Sequence, residues 1–112
     1  MNDSNLKKRK YDIIIYGASG FTGKLVAEYL LKTYGVNGSV SWAIAGRDEK
    51  KLEIIRRNLK LDKNDLDIFV ASSFDINSLK SMVLKTNVIL STVGPYAIYG
   101  DFLVAACVEN GT

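Results

Sequence analysis

The stretch YDIIIYGASGFTGK (residues 11–24) joins an apolar run to a loop that contains three glycines. The run YDIIIY predicts a strand that is buried on both faces of a sheet. After the loop, residues 22–34 predict a helix with Val26, Tyr29 and Leu30 on one buried face. A strand, a glycine loop and a helix in this order are typical of a phosphate-binding site.

The rest of the chain repeats the alternation of strand and helix. Val- and Ile-rich strands separated by helices indicate a parallel sheet that is covered on both faces. With right-handed crossovers, this is an α/β, doubly wound, Rossmann-like fold with strand order 3-2-1-4. The further strands are predicted at 40–45, 65–71 and 87–93, and the further helices after the N-cap Asp48, at 76–85 and at 101–110.

Two unusual loops follow the strands between which the order of this sheet reverses. GASGFTG (17–23) follows the first strand, and STVGPYAIYG (91–100) includes the end of the fourth. Ligands of doubly wound sheets bind outside the carboxyl ends of the strands at such a reversal. We therefore expect the two loops to form one ligand-binding crevice.

The glycine loop fits a dinucleotide better than a nucleoside triphosphate. A P-loop ending in Gly23 and Lys24 needs glycine at position 18 and a hydroxyl residue after the lysine. The chain has Ala18 and Leu25 at these positions, so two required residues are missing. A glycine-rich turn that binds no ligand is the remaining alternative.

The spacing of the glycines predicts a separate role for each of them. Gly17 permits a tight turn out of the strand, Gly20 allows the backbone to approach a pyrophosphate, and Gly23 lets helix and strand pack closely. The helix that begins near Thr22 directs its positive end at the phosphates. Ser19 and Thr22 add hydroxyl donors.

The end of the second strand bears on the choice between NADP(H) and NAD(H). Arg47 lies there, with Lys50 and Lys51 close behind. An arginine at this place binds the 2′-phosphate of NADP, whereas an NAD site carries an acid for the ribose hydroxyl. Asp48 is the competing acid, but its position suits a helix N-cap better. We predict NADP(H) as the preferred cofactor and NAD(H) as the second choice, with a plain surface cation as the alternative role of Arg47.

Further cofactor contacts are predicted after the third and fourth strands. Asp75 is placed either at the adenine edge or at the N-cap of the next helix. The residues expected where a nicotinamide ribose would pass are Ser91, Thr92, Val93, Gly94 and Pro95, and Gly94-Pro95 fixes a turn. Tyr96 is expected either to flank the nicotinamide or to pack in a half-buried position.

Composition excludes several other chemistries. The chain has no histidine, so no histidine-based triad or histidine-containing zinc site can form, and we predict no metal site. Cys107 shares a helical stripe with Leu103, Val104 and Val108, which favours a small buried hydrophobe over a catalytic thiol. The run KKRK (7–10) is interpreted as a solvated lead-in rather than a nuclear signal.

No apolar stretch is long enough to span a bilayer, and the N-terminus lacks the apolar core of a signal peptide. No basic surface with interleaved aromatic residues indicates nucleic-acid binding. We therefore expect an intracellular, cytoplasmic domain that acts on a small-molecule substrate.

The segments YDIIIYGASGFTGKLVAEYL, SWAIAGRDEKKL and STVGPYAIYGDFLVAACVENGT together resemble the N-terminal part of the saccharopine dehydrogenase-like oxidoreductases, a group related to the trans-acting enoyl reductases. The resemblance covers nearly all of 11–112. It implies a cofactor-binding half followed by a longer C-terminal part, and association with a lipid or organelle membrane rests on it alone. Members of the group often have asparagine at the position of Ser91. The cofactor residues that it implies are Gly17, Ser19, Gly20, Phe21, Thr22, Gly23, Arg47, Gly94 and Pro95.

Residues 11–112 are thus predicted to form an incomplete NAD(P)-binding domain of a larger enzyme, after a flexible basic N-terminus (1–10). We expect hydride transfer to or from a C=N or C=C bond, with a non-catalytic NmrA-like sensor as the alternative. The chain contains no Tyr-x-x-x-Lys pair, so catalytic residues stay unassigned, and the piece alone is expected to be inactive. The free outer edge of the fourth strand favours pairing with another chain, as in a homodimer.

Overall fold

The computed structural model describes residues 9–72, 74–92 and 101–112. Strands and helices alternate through these ranges, as the sequence predicts. Their bounds are β1 (Tyr11–Tyr16), α1 (Phe21–Tyr34), β2 (Trp42–Gly46), α2 (Glu49–Asn58), β3 (Ile68–Val70), α3 (Ile76–Val83), β4 (Thr86–Ser91) and α4 (Asp101–Asn110).

The four strands form one parallel sheet in the order β3-β2-β1-β4, which confirms the predicted doubly wound topology. Tyr16, the last residue of β1, pairs with Ala45 of β2 on one side and with Ser91 of β4 on the other. The carboxyl ends of these three strands therefore lie side by side, and the loops that follow them share one edge of the sheet.

Each face of the sheet carries a hydrophobic core. Alternation along β1 places Ile15 in one core and Ile14 and Tyr16 in the other. The helices supply the opposite wall of each core: Ala27, Leu30, Leu52 and Ile55 from α1 and α2 pack with Ile15, and Leu79, Met82, Val83, Leu103 and Ala106 from α3 and α4 pack with Ile14.

The prediction that Tyr29 lies on the buried face of α1 is wrong, because its side chain is 61% exposed. The buried residues of α1 are Gly23, Ala27 and Leu30. Small residues let the helix lie close to the sheet, so the helix turns its glycine and alanine inward. A spacing rule that weighs only large apolar side chains does not detect such a face.

The third strand is shorter than predicted, because residues 65–67 do not join it. The backbone N–H groups of Asp65 and Leu66 donate to the carbonyl of Asp62 at 3.0 and 3.1 Å, which forms a turn in place of extended chain. The carboxylate of Asp65 also accepts from the N–H of Asp62. The strand begins only after this turn, at Ile68.

The predicted apolar stripe of α4 is correct only in part. Leu103 is buried and Cys107 is partly buried, but Val104 and Val108 are exposed, and Ala106 takes the inward position in their place. Burial raises the pKa of the Cys107 thiol, which favours the protonated form. No helix in the described ranges is long and apolar enough to cross a membrane.

Candidate cofactor-binding site

The glycine loop begins as a tight turn at the carboxyl end of β1. The backbone N–H groups of Gly17 and Ala18 both donate to the carbonyl of Ala45 on β2, at 2.9 and 3.2 Å. Gly17 has a φ of 87°, in the left-handed region that favours glycine. The N–H of Gly20 then donates to the carbonyl of Gly17 at 3.1 Å and closes the turn.

Gly23 is required by packing between the loop and α1. A Cβ atom at this position would lie 2.4 Å from the carbonyl oxygen of Gly17 and 2.6 Å from the Cα of Ala18. Both neighbours are backbone atoms, which cannot rotate away. This is the packing role that the sequence predicts for Gly23.

Gly20 differs, because no contact among the described residues requires a glycine there. Its φ of −79° is open to any residue, and among the described atoms an added Cβ would meet the Gly17 carbonyl alone, at an ordinary 3.5 Å. The position is exposed to solvent. The missing side chain leaves the surface of the loop open at the start of α1, and this opening fits the close approach of a pyrophosphate.

The first turn of α1 also suits an anion. Its N-cap residue, Gly20, provides no side-chain acceptor, and no acidic residue occurs in the first turn. In α2, by contrast, the side chain of Asp48 accepts from the N–H of Lys51 at 3.2 Å, and Glu49 lies in the first turn. The positive end of α1 is thus available to a phosphate group.

Arg47 lies at the same edge of the sheet as the loop. It follows Gly46, the last residue of β2, and its side chain is exposed, as are those of Lys50 and Lys51. Asp48 is occupied as the N-cap of α2, which the sequence favours over an acid for the ribose. Arg47 and the two lysines are therefore three exposed cations at or just after the end of β2, where an arginine that binds a 2′-phosphate occurs in NADP sites.

On the other side of the loop, β4 ends at Ser91, which is exposed and pairs with Tyr16. The next residue, Thr92, is half-buried and bonds to β1 through its backbone and its side chain. The predicted contacts at Val93, Gly94, Pro95 and Tyr96 lie outside the described residues.

The remaining predicted residues are at the loop or after β3. Ser19 is half-buried in the loop, and Phe21 and Thr22 are exposed in the first turn of α1. The Asp75 carboxylate accepts from the N–H groups of Asn77 and Ser78 at 3.1 and 3.3 Å, so it caps α3. This is one of its two predicted roles, and a contact with adenine stays a prediction.

No group of three or more potential metal ligands occurs in the part of the chain that the structure describes. A parallel sheet with a glycine loop where its strand order reverses defines a dinucleotide-binding domain.

The sequence matches the saccharopine dehydrogenase NADP binding domain over residues 13–112, and the chain belongs to this family. The resemblance seen in the sequence is confirmed, and NADP(H), the predicted cofactor, is the cofactor of this domain.

Several longer proteins are similar to this chain. A lipid droplet localized protein of Caenorhabditis elegans is 45% identical over 106 residues, which are 91% of this chain and 25% of that protein. A trans-acting enoyl reductase of Mycobacterium leprae is 41% identical over 105 residues, which are 94% of this chain and 24% of that protein. The chain thus spans about a quarter of the length of these relatives.

Among solved structures, the apo saccharopine dehydrogenase (L-Glu forming) of Saccharomyces cerevisiae superposes with a TM-score of 0.71 at 15% identity. The match covers 91% of this chain and 20% of the yeast enzyme. This likeness supports the fold and shows that the fold forms a part of a longer chain there.

Proposed function

We propose that this chain is the cofactor-binding part of an NADP(H)-dependent oxidoreductase that transfers hydride to or from a C=C or C=N bond of a small molecule. The observation that carries the proposal is the open position of Gly20, which no contact among the described residues explains. Relatives named as enoyl reductases support the C=C bond in particular.

The residues of the chain would bind and orient the cofactor, which supplies the hydride when bound. The loop and the start of α1 would hold the pyrophosphate, and Arg47 the 2′-phosphate. The end of β4 and the loop after it would lie along the nicotinamide half. The full set proposed is Gly17, Ser19, Gly20, Phe21, Thr22, Gly23, Arg47, Asp75, Ser91, Gly94, Pro95 and Tyr96.

A turnover assay on a full-length protein that contains this domain distinguishes an enzyme from a non-catalytic sensor. The protein is mixed with NADPH and either an α,β-unsaturated acyl thioester or an imine, and the loss of NADPH absorbance is compared with the amount of reduced product. We expect the amount of NADPH consumed to equal the amount of reduced product with either the acyl thioester or the imine. Tight NADPH binding without reduction of either class would contradict the enzyme and favour the sensor.

A second proposal concerns location, and the structure offers a surface for it. Ile89 belongs to the core formed with α3 and α4, so alternation places Val88 and Leu90 on the other face of β4, beside α1. Both are exposed, as are Leu25 and Tyr29 of α1. We call these four residues the α1–β4 apolar surface, and propose that it contacts a lipid surface in the manner of peripheral proteins.

The name of the nematode relative supports this location. Flotation with phospholipid-coated triacylglycerol droplets tests it. We expect the double variant Leu25→Ser, Tyr29→Ser to lose association, whereas Ile54→Ser, at a similarly exposed apolar residue of α2, retains it. Equal flotation of the two variants, or none by the unaltered protein, would contradict the proposal.

A further inference from the structure

Thr92 connects the glycine loop to the end of β4. Its backbone N–H donates to the carbonyl of Tyr16 at 2.9 Å and extends the pairing of β4 with β1 by one bond. Its side-chain Oγ1 lies 3.0 Å from the carbonyl oxygen of Gly17 and 3.2 Å from that of Tyr16. The hydroxyl thus donates to the backbone at the point where the strand becomes the loop.

The carbonyl oxygen of Gly17 makes the contacts that shape the loop. It accepts the N–H of Gly20 that closes the turn, and it is the atom that a Cβ at Gly23 would meet at 2.4 Å. The position of this oxygen therefore fixes how the loop turns and how closely α1 approaches it. Among the described residues, the hydroxyl of Thr92, directly after β4, is a second donor to this oxygen beside the N–H of Gly20.

We infer that Thr92 is a positioning residue of the cofactor site. Its hydroxyl holds the Gly17 carbonyl, and through it the glycine loop, in the conformation that leaves Gly20 open to a pyrophosphate. The same bond ties this loop to the residue directly after β4. The inference rests on the proposed function, because it assigns a role within the same site.

Substitution by valine removes the hydroxyl donor and keeps the shape of the side chain. The loop would retain its internal bond from Gly20 but lose the restraint from β4. We therefore expect Thr92→Val to weaken NADPH binding by about three- to tenfold, the range for a single lost hydrogen bond. Thr92→Ser keeps the donor and should bind within about twofold of the unaltered protein.

The experiment compares Thr92→Val and Thr92→Ser with Thr33→Val, which makes the same change at an exposed position of α1. Fluorescence titration of the full chain gives the dissociation constant for NADPH. Hydrogen exchange without cofactor measures the protection of the loop amides, including that of Gly20. Thr92→Val should lower this protection and weaken NADPH binding, whereas the other two variants should leave both unchanged.

Two outcomes overturn the inference while the proposed function stands. One is that Thr92→Val matches Thr33→Val in NADPH affinity and in loop protection. The other is that Thr92→Ser loses as much affinity as Thr92→Val, which would assign the effect to packing of the methyl group. If the unaltered protein does not bind NADPH, the proposed function fails and the inference fails with it.

Discussion

The three glycines of the loop differ in whether the described structure requires a glycine at that position. Gly17 is required by its positive φ and Gly23 by backbone atoms within 3 Å of an added Cβ. Gly20 meets neither condition. No contact among the described residues accounts for a glycine at this position, whereas a ligand that approaches the backbone would, and the family's cofactor is such a ligand.

Arg47 is the residue from which we predict discrimination between NADPH and NADH. Replacing it with alanine removes a charge-assisted contact worth about 1.5–3 kcal/mol, so NADPH affinity should fall about ten- to a hundredfold while NADH affinity changes little. Separate titrations with the two cofactors measure this. Arg57→Ala, at another exposed arginine, is the matched control. An equal loss of affinity for NADPH and NADH would contradict the assignment of Arg47 to the 2′-phosphate.

Residues with a local sequence signal could be predicted, whereas a contact between residues far apart in the sequence could not. Glycine spacing and an arginine after a strand are local signals, and Asp48 and Asp75 occupy the cap positions that their places predict. The role of Thr92 depends on the distance between its hydroxyl and Gly17, residues far apart in sequence. No local pattern carries that information, because it exists only once β4 lies beside β1.

Among the elements, β1 and the segment before β3 are joined by a polar cluster at the amino-terminal edge of the sheet. The Tyr11 hydroxyl donates to the carboxylate of Asp67, which also pairs with Lys10 at 3.2 Å. The hydrogen bond from Tyr11 lowers the pKa of Asp67, assisted by Lys10 and opposed by partial burial. Burial raises the pKa of Tyr11 in turn, and the ring packs edge-on against Phe69.

This cluster predicts a pH-dependent contribution to stability. Because the pKa of Asp67 is lower in the folded state than in the unfolded state, its stabilisation is complete above the unfolded-state value and is lost as the pH falls through the folded-state value. Tyr11→Phe should therefore lower the free energy of unfolding by only about 0.5–1 kcal/mol near neutral pH, because Asp67 is partly exposed to solvent. This cost should become progressively smaller in acid, as Asp67 is protonated.

Urea unfolding at a series of pH values checks this expectation, with Tyr34→Phe as the control at an exposed tyrosine. A cost of Tyr11→Phe that stays constant from neutral to acid pH would show that the bond to Asp67 does not contribute.

The type and order of the elements in the described ranges were predictable from the sequence, but not all of their buried faces. The topology follows from apolar runs, capping residues and the handedness of crossovers, which are local or general rules. Tyr29 and Val108 face solvent although their spacing suggested burial. Each core forms from several helices at once, so small residues such as Ala27 and Ala106 take the contacts at close range.

For the whole molecule, Arg9 joins the ends of elements that are distant in sequence. Its guanidinium donates to the carbonyls of Val83 and Thr86 at 3.0 and 2.8 Å, and also to the carbonyl of Asn110 and the hydroxyl of Thr112. Val83 and Asn110 end α3 and α4, so the cation lies at the negative ends of two helices. The predicted domain boundary after residue 10 stays a prediction.

We expect Arg9→Ala to lower the free energy of unfolding by about 1.5–3 kcal/mol, because it leaves several carbonyls without their charged donor. Arg57→Ala, which removes an exposed arginine from the end of α2, should cost far less. Urea denaturation of the two variants provides the comparison. Equal stabilities would mean that Arg9 does not hold these ends together.

The outer edge of β4 has no partner strand among the described residues, and a groove of about 470 Å³ runs along it. Its walls include Val88 from β4 and Leu103 and Cys107 from α4. The homodimer predicted from the sequence would use this edge. The relatives are about four times as long as this chain. In proteins of that length, a strand from the additional polypeptide could instead pair with this edge.

The central claim is that the glycine loop holds the pyrophosphate of NADP(H), and Gly20→Ala tests it most directly. The added Cβ would meet the Gly17 carbonyl at an ordinary 3.5 Å among the described residues, and the entropy gain from alanine opposes its poorer fit as an N-cap, so the free energy of unfolding should change by less than about 1 kcal/mol. The same Cβ would overlap the cofactor, at a cost of about 1–3 kcal/mol in binding.

Calorimetric titration of the variant with NADPH is the decisive measurement. We predict a dissociation constant at least about fivefold above that of the unaltered protein, together with a free energy of unfolding that changes by less than about 1 kcal/mol. NADPH binding as tight as in the unaltered protein would contradict the account.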